Sequence, residues 1–435
     1  MGLALIETET LSSIGTAIRS KTGETTNYKP SQMAEAINSI KTGGADLPEE
    51  GLVLSGNLAF YNYGGHWDWF INTYGDRMST ENISNLQSAF MNSSCEIPFE
   101  INLTKDGNMT LQLDNAFNGA NISEVPVING NIEKAVDAFS GCKATRFRSD
   151  LYFVDSSVNC VGIFSSMTNL LELPYLYNLK TYNYLNSMFA GCIKIKSIPA
   201  DYADTWAIRR TEALSDFSGC YSLRSIPTGV LNKLFSNCIS YTYNFENCYA
   251  LETIEGFPVT TARYGAVADG YSTTELTPVE ITTNMFKFYN NGGRPYNFLW
   301  QCGRLTKFTF AETTEDVKWS NQLIHFTDVG YDSNAAIVDT GRGEFTLENQ
   351  VYDDATYAAL KDNPDWWTAD INYSRYNKVS ALETIASLPD TSAFGTNIIM
   401  FRSAQGSKTD GGSIGSMTAE EIATAAAKGW TVSLI

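Results

Sequence analysis

The sequence predicts an α/β repeat architecture: a solenoid of stacked coils held between an N-terminal helical hairpin and a C-terminal αβ cap. Three observations predict it. A ladder of Phe, Cys and branched aliphatic residues recurs at an interval of 28 residues. The chain, at 435 residues, exceeds what one globular core usually absorbs. The apolar periodicity changes at both ends, to helical spacing at the start and to alternating helices and strands at the finish.

The repeat is read from three segments, SMFAGCIKIKSIP (187–199), SDFSGCYSLRSIP (215–227) and YNFENCYALETIE (243–255). Each places an apolar residue at every third position: Phe189/Cys192/Ile195/Ile198, Phe217/Cys220/Leu223/Ile226 and Phe245/Cys248/Leu251/Ile254. Weaker copies start at Phe90, Phe117, Phe139 and Phe164. The last of these keeps Met167, Leu170 and Leu173 before Pro174, whereas Phe139 keeps Cys142 and then departs from the pattern with Thr145 and Arg148. A late copy, Leu299/Cys302/Leu305/Phe308, begins 54 residues after Phe245, which leaves room for one degenerate or inserted repeat around 265–290. The period is about 25–28 residues. A short helical or 3₁₀ turn carrying Phe and Cys is expected to pack over a strand that starts near the Ile-Pro position, each coil burying its ladder only against its neighbours. Five of the eight cysteines occupy one slot of this ladder, which reads as small buried thiols rather than disulfides, metal ligands or nucleophiles.

Residues 1–42 read as two short amphipathic helices. Leu11, Ile14 and Ile18 recur at helical spacing before Gly23, and Met33, Ile37 and Ile40 repeat the pattern after Pro30 and Ser31. Helices this short are marginal alone, so these six apolar residues are candidate docking positions against another protein or another copy. Residues 43–50 form a linker around Gly43, Gly44 and Pro48. Residues 51–85 are dense in aromatics, with Tyr61, Tyr63, Trp67, Trp69 and Phe70. That run reads as a cap on the first edge of the solenoid or as a sugar-stacking platform. The solenoid is expected over 86–340 and an αβ capping module over 341–435. Within the module, helices are expected at 352–361, 380–389 and 418–428, the last with Thr418 and Glu421 in capping-box register, and strands at 397–403 and 429–435.

The formal charge of −18 repels phosphates and anionic membrane faces, which argues against a nucleic-acid partner. No apolar window of about 18 residues is present to insert in a bilayer. The start MGLALIETETLSSIG lacks a basic n-region and a long apolar core, which implies synthesis in a cytosol. Met1-Gly2 is followed by Ile6 where myristoylation wants Ser or Thr, and triplets such as Asn102-Leu103-Thr104 carry little meaning without a secretion signal.

Catalytic patterns are sparse. His66 and His325 are the only histidines and lie in no zinc-type spacing. No G-x-S-x-G elbow, Walker loop or calcium-loop motif occurs, and GGRPYNF (292–298) lacks the Walker spacing and lysine. Asp353/Asp354 and Glu420/Glu421 read as solvated or helix-start acids rather than a glycosidase pair. No cofactor, metal or catalytic residue is therefore expected. The remaining chemistry is binding: Tyr175/Tyr177, Tyr182/Tyr184 and Tyr241/Tyr243 place alternate tyrosines on one face if these runs are extended. Such rings suit sugar or protein contacts, or else shield the sheet or join subunits.

The F-x-x-C-x-x-L-x-x-I-P ladder resembles the BspA-type irregular leucine-rich repeats of gut bacteria and their phages, over roughly 86–310. The string TLSSIGTAIRSKTGETTNYKPSQMAEAINSI (10–40) resembles a helical hairpin at the start of phage virion proteins, with Ile14, Ala17, Ile18, Arg19, Lys21, Thr22, Gly23, Pro30, Met33, Ala34, Ala36 and Ile37 in its places. The tail from YSRYNKVSALETIASLPDTSAFGTN to GSMTAEEIATAAAKGWTVSLI is similar to the ends of repeat-bearing phage structural proteins. The resemblance implies a virion protein assembled in a bacterial host's cytoplasm, docked to other virion proteins through residues 1–42. By analogy with other fibres it is expected to be a homo-oligomer, with a trimer the guess. A fibre or tip that binds a host receptor or surface glycan is the leading expectation. The alternative is a bracing component of head, neck or tail, and a depolymerising tailspike is a third reading.

Overall fold

The computed structural model describes residues 52–59, 68, 71–72, 74–105, 111–182, 184–267, 270–286, 289–291, 294–296, 298–300, 302–327, 329, 374–407 and 409–435. The six candidate docking residues Leu11, Ile14, Ile18, Met33, Ile37 and Ile40 lie outside them, as do the linker, Tyr61, Tyr63, Trp67, Trp69, Phe70 and the helix expected at 352–361.

Residues at two fixed places around each ladder phenylalanine, Ser, Asn, Asp or Gly at all but one of them, decide the local backbone. Two residues before it the chain is left-handed, at Ser88 (φ 57°), Asn115 (53°), Asp137 (50°), Gly162 (63°), Ser187 (59°), Ser215 (56°) and Tyr243 (56°). Two residues after it the chain is left-handed again, at Asn92 (57°), Gly119 (67°), Gly141 (69°), Ser166 (60°), Gly191 (73°), Gly219 (72°) and Asn247 (61°). Glycine enters this region freely, and Asn and Asp more readily than branched residues. The expectation of a helical or 3₁₀ turn is corrected here, because a left-handed residue on each side of the phenylalanine interrupts any right-handed helix.

The alternation turns three backbone N–H groups of each turn toward the next coil. Ser215 donates to the Thr242 carbonyl (2.9 Å), Phe217 to Asn244 (3.0 Å) and Gly219 to Glu246 (2.7 Å). Asp137, Phe139 and Gly141 donate in the same register to Val161 (2.9 Å), Ile163 (3.0 Å) and Ser165 (2.7 Å). With the turns in register, the phenyl rings of Phe90, Phe117, Phe139, Phe164, Phe189, Phe217 and Phe245 stack in one column. Neighbouring centroids are 5.3–6.0 Å apart and planes 10–24° from parallel, and each residue is at most 1 % exposed. Beside them the thiols of Cys192, Cys220, Cys248 and Cys302 donate to the carbonyls of Phe164, Phe189, Phe217 and Phe245 at 3.1–3.2 Å.

The later rungs explain the copies that depart from the pattern. Ile195, Leu223, Leu251 and Leu305 are buried six residues after the turn residue, as the repeat predicts. After Phe117 and Phe139 the rungs fall one residue earlier, at Ile122 and Val125 and at Ala144 and Phe147. One residue is missing from each of those coils, so Thr145 and Arg148 point outward while the core column continues.

Between turns, each coil pairs with the next through strands of mostly two or three residues, all parallel. Leu52–Asn57 pairs with Met78–Asn85, Ile101–Asn102 with Ile128–Asn129, Leu151–Phe153 with Leu176–Tyr177, Lys180–Tyr182 with Ala207–Arg209, and Glu212–Leu214 with Ser240–Thr242. Helix α1 (Thr228–Phe235) follows Pro227 and buries Val230, Leu231, Leu234 and Phe235. Beneath it Arg210 and Asp216, both almost wholly buried, form an ion pair, and the Arg210 guanidinium also donates to the Leu234 carbonyl (2.9 Å) and lies over Phe235. A buried pair of this kind fixes geometry and is costly to break singly.

The region around 265–290 is no degenerate repeat: it holds two inserted hairpins, with Ile281, Met285 and Phe286 between them still in the stack, where the Tyr241 N–H donates to the Met285 carbonyl (2.7 Å). Ala262–Val267 and Gly270–Pro278 form an antiparallel hairpin, as do Tyr289–Asn291 and Arg294–Tyr296, while Thr253–Phe257 pairs directly with Lys307–Phe310 across them. At the C-terminal end Leu323–His325, Asn397–Phe401 and Trp430–Leu434 make a three-stranded parallel sheet. Helices α2 (Lys378–Ser387) and α3 (Ala419–Ala427) accompany it, α3 with the Thr418/Glu421 capping box formed. One cluster of buried residues runs from Leu54 to Trp430.

Removing one ring from the column leaves a cavity that rigidly stacked neighbours cannot fill. Phe217→Ala is expected to lower stability by about 3–5 kcal/mol, and exposed Asn121→Ala to change it by less than about 0.5 kcal/mol, both read from urea unfolding midpoints.

Candidate functional site

The parallel ladder brings Tyr152, Tyr177 and Tyr175 together on an outer face. Leu151 and Leu176 point inward and are buried, so the alternation of a strand turns Tyr152 and Tyr177 outward. Tyr152 and Tyr177 are in register, with ring centroids 4.9 Å apart at 21°. Tyr175 stacks on Tyr177 at 5.9 Å and 16°. Tyr152 is 44 % exposed and the other two are half-buried. The Tyr175 hydroxyl donates to Asp201 Oδ1 (2.9 Å), and that hydrogen bond to a carboxylate holds the phenol above its usual pKa. Asp150 Oδ1 accepts from the Tyr175 backbone N–H (2.9 Å). Underneath, the buried Tyr202 ring lies 5.7 Å from Tyr175 and packs edge-on against Trp206. Toward the N-terminus the neighbour of Tyr152 on its ladder is exposed Asn131.

The row offers phenol edges and hydroxyls at coil spacing with carboxylates beside them. Such a surface can hydrogen-bond hydroxylated ligands and cover apolar ring faces. Because Tyr152 and Tyr177 lie face to face, part of their ring area is used within the row.

The other tyrosines expected to join a binding face are dispersed. Tyr182 lies beneath Arg209, whose guanidinium is 5.6 Å from its ring centroid, the two being in register on adjacent strands. Tyr184 is 52 % exposed. The expectation fails for Tyr241, which is 1 % exposed: its hydroxyl donates to the Phe235 carbonyl (3.3 Å) and its ring packs on Phe257 and Phe286. The reason is local. Tyr243 occupies the left-handed place two residues before Phe245, so the run from 241 to 243 is not extended and the two rings do not share a face. Tyr152, Asp150 and Asp201 were not singled out from sequence, although Tyr152 stands one repeat interval, 25 residues, before Tyr177.

Elsewhere burial dominates the titrating groups. It pushes the Cys142 thiol up to about 11 and those of Cys192 and Cys238 to about 12, which leaves them un-ionised and unreactive near neutral pH. His325 is 9 % exposed. Among the described residues no group of three or more His, Cys, Asp and Glu is placed to hold a metal ion, and no helix is long and apolar enough to cross a membrane. Glu246 stands just after Phe245, in the slot that Ser218 and Trp300 fill in the coils before and after it. Burial raises its carboxyl from 4.5 to about 7.

No protein family, curated protein or solved structure matches this chain.

Since the folded carboxyl of Glu246 binds its proton more tightly than the unfolded one, its full stability is present below about pH 4.3 and is lost as pH rises through about 7. Discounted for partial exposure, the loss amounts to about 1–3 kcal/mol. Glu246→Gln is expected to match the parent chain near pH 4 and to exceed it by that amount at pH 8, in urea midpoints followed against pH.

Proposed function

We propose that this chain is a structural protein of a bacteriophage particle, built as an irregular leucine-rich-repeat-like solenoid. In this reading it projects as a fibre or tip-like appendage and binds a host receptor or surface glycan, without catalysing a reaction. The observation that carries the reading is the solvent-facing row Tyr152–Tyr177–Tyr175 with Asp201 and Asp150 beside it. Rigid aromatic side chains with polar tips supply contact area at low entropic cost, and a stack of short coils is a means of carrying them on a rigid surface. The resemblance of residues 10–40 to the start of phage virion proteins supports the particle as its place, with other virion proteins as docking partners.

The second reading is a bracing component of head, neck or tail. The mutual stacking of Tyr152 and Tyr177 favours it, because rings already paired within the chain are also suited to lie flat against another virion protein.

Binding of the labelled full chain to intact bacterial cells, across a panel of strains with unrelated bacteria as control, tests the two. Saturable, strain-selective binding is expected, weakened about tenfold or more by Tyr152→Ala with Tyr177→Ala. A folded chain that binds no strain would favour bracing, and undiminished binding by the double variant would remove the tyrosine row from the site.

A further inference from the structure

The residues that follow each turn on the outside of the stack reverse the charge of the chain that carries them. Backbone hydrogen bonds line up one column: Leu171 N–H donates to the Thr145 carbonyl (2.9 Å), Arg224 to Lys196 (3.1 Å), Glu252 to Arg224 (2.8 Å) and Thr306 to Glu252 (2.9 Å). Two residues earlier in each coil runs a second column. It starts at Lys143, whose carbonyl accepts from Asn169 Nδ2 (3.2 Å), passes Lys194, whose Nζ donates to Asn169 Oδ1 (3.3 Å), and ends at Arg304. From the coil of Phe139 to that of Leu299 the two columns hold Lys143, Lys194, Lys196, Arg224 and Arg304 against one carboxylate, Glu252, in a protein with 48 acidic and 30 basic side chains. The next column carries its own carboxylates, Arg146 pairing with Glu124 and Lys307 with Glu255 (2.8 Å), with Glu172 exposed between them.

The imbalance is sharpest at the C-terminal end of this stripe. Arg304 is half-buried, and its Nε is buried with no hydrogen-bond partner among the described residues. Buried donors are ordinarily paired with protein, water or an ion. Burial lowers the pKa of this guanidinium, the like charges of Arg375 and Arg224 lower it further, and Glu252 opposes them. Arg375 comes from the C-terminal module. Its neighbour Tyr376 is buried against Phe326, which packs on Phe308 of the Arg304 coil, both at centroid distances of 5.2 Å. The Glu252 carboxylate lies 3.9 Å from the Arg224 guanidinium, at the outer limit of an ion pair. Arg375 makes no ion pair among the described residues, and the neighbouring carboxylates Glu255 and Glu383 act on Lys307 instead. Three guanidiniums with one carboxylate leave two positive charges uncompensated among the described residues. Like charges held together in this way are unfavourable until an anion joins them.

We propose that Arg224, Arg304 and Arg375 hold a dianionic phosphate group, either as a free ion or as the monoester end of a larger ligand. Guanidinium donors in a planar fork match phosphate oxygens. A phosphate monoester carries close to two negative charges at neutral pH, whereas a carboxylate brings one. Lys196, Lys194 and Lys143 continue the stripe away from the site, where the remainder of a larger anion would lie. The inference stands independently of the host-binding reading.

The test is isothermal titration calorimetry of the full chain with inorganic phosphate, glucose 6-phosphate and acetate, at neutral pH and matched ionic strength. Saturable binding of at least one phosphate with a Kd below about 1 mM is expected, with none of acetate in that range. Tighter binding of inorganic phosphate identifies the free ion, and tighter binding of the ester a larger ligand. Arg224→Gln with Arg375→Gln, both at exposed positions, is expected to weaken binding about tenfold or more. The urea midpoint of the ligand-free double variant is expected to be unchanged or raised, because repulsion has been removed. Glu252→Gln removes the competing carboxylate and is expected to tighten binding about threefold or more, which a merely structural cluster would not do. No saturable phosphate binding, equal binding of acetate, or binding undiminished in the arginine variant would overturn the proposal.

Discussion

Left-handed backbone on both sides of the ladder phenylalanine is the constraint from which the rest of the structure follows. It directs three N–H groups per turn at the carbonyls of the next coil, and so fixes the register in which one coil lies on another. Once register is fixed, identical positions coincide along the stack: phenyl on phenyl, thiol on carbonyl, aliphatic on aliphatic. The strands are too short to do this alone, most of them contributing two or three residues. What holds the coils is therefore a column of hydrogen-bonded turns with an apolar core beside it, in which each coil depends on its neighbours for burial.

The core was legible in the sequence for a physical reason. The inner residues of a stacked coil have no freedom of type, so Phe189, Phe217 and Phe245 with their cysteines and aliphatics repeat at one interval. The outer arcs have no such restriction, which is why coil lengths vary and why the missing residue after Phe117 and Phe139 concealed two good copies. The apolar positions alone do not distinguish this turn from a helical one, since both bury residues at a spacing of three. The signal lay beside them, in the Ser, Asn, Asp and Gly residues that fill the places two before and two after every ladder phenylalanine except at Tyr243.

The candidate site was half legible. Alternation correctly put Tyr175 and Tyr177 on one face, since Leu176 between them is buried, but the same argument failed at Tyr241 because a left-handed residue ended the extended run at 243. Tyr152 escaped notice because it belongs to a different coil, and only the repeat interval, applied to the surface as well as the core, connects it to Tyr177. Asp201 joins the row through a longer coil whose path no sequence rule supplies. The inserted hairpins stand apart from both cases: they obey no repeat, while Met285 and Phe286 between them still pair with Tyr241 of the coil before.

The most direct test of the account is the urea unfolding of two deletion variants compared with the parent. Removing residues 118–139 joins Phe117 to Ser140, Gly141 and Cys142 and restores a complete turn with Asn115 and Gly141 in the left-handed places. Removing 120–139 instead brings the same segments together out of register. The account predicts that the first variant folds and unfolds in a cooperative transition with native-like circular dichroism, and that the second does not. Equal behaviour of the two would show that the turn column does not set the register, and would contradict the central claim.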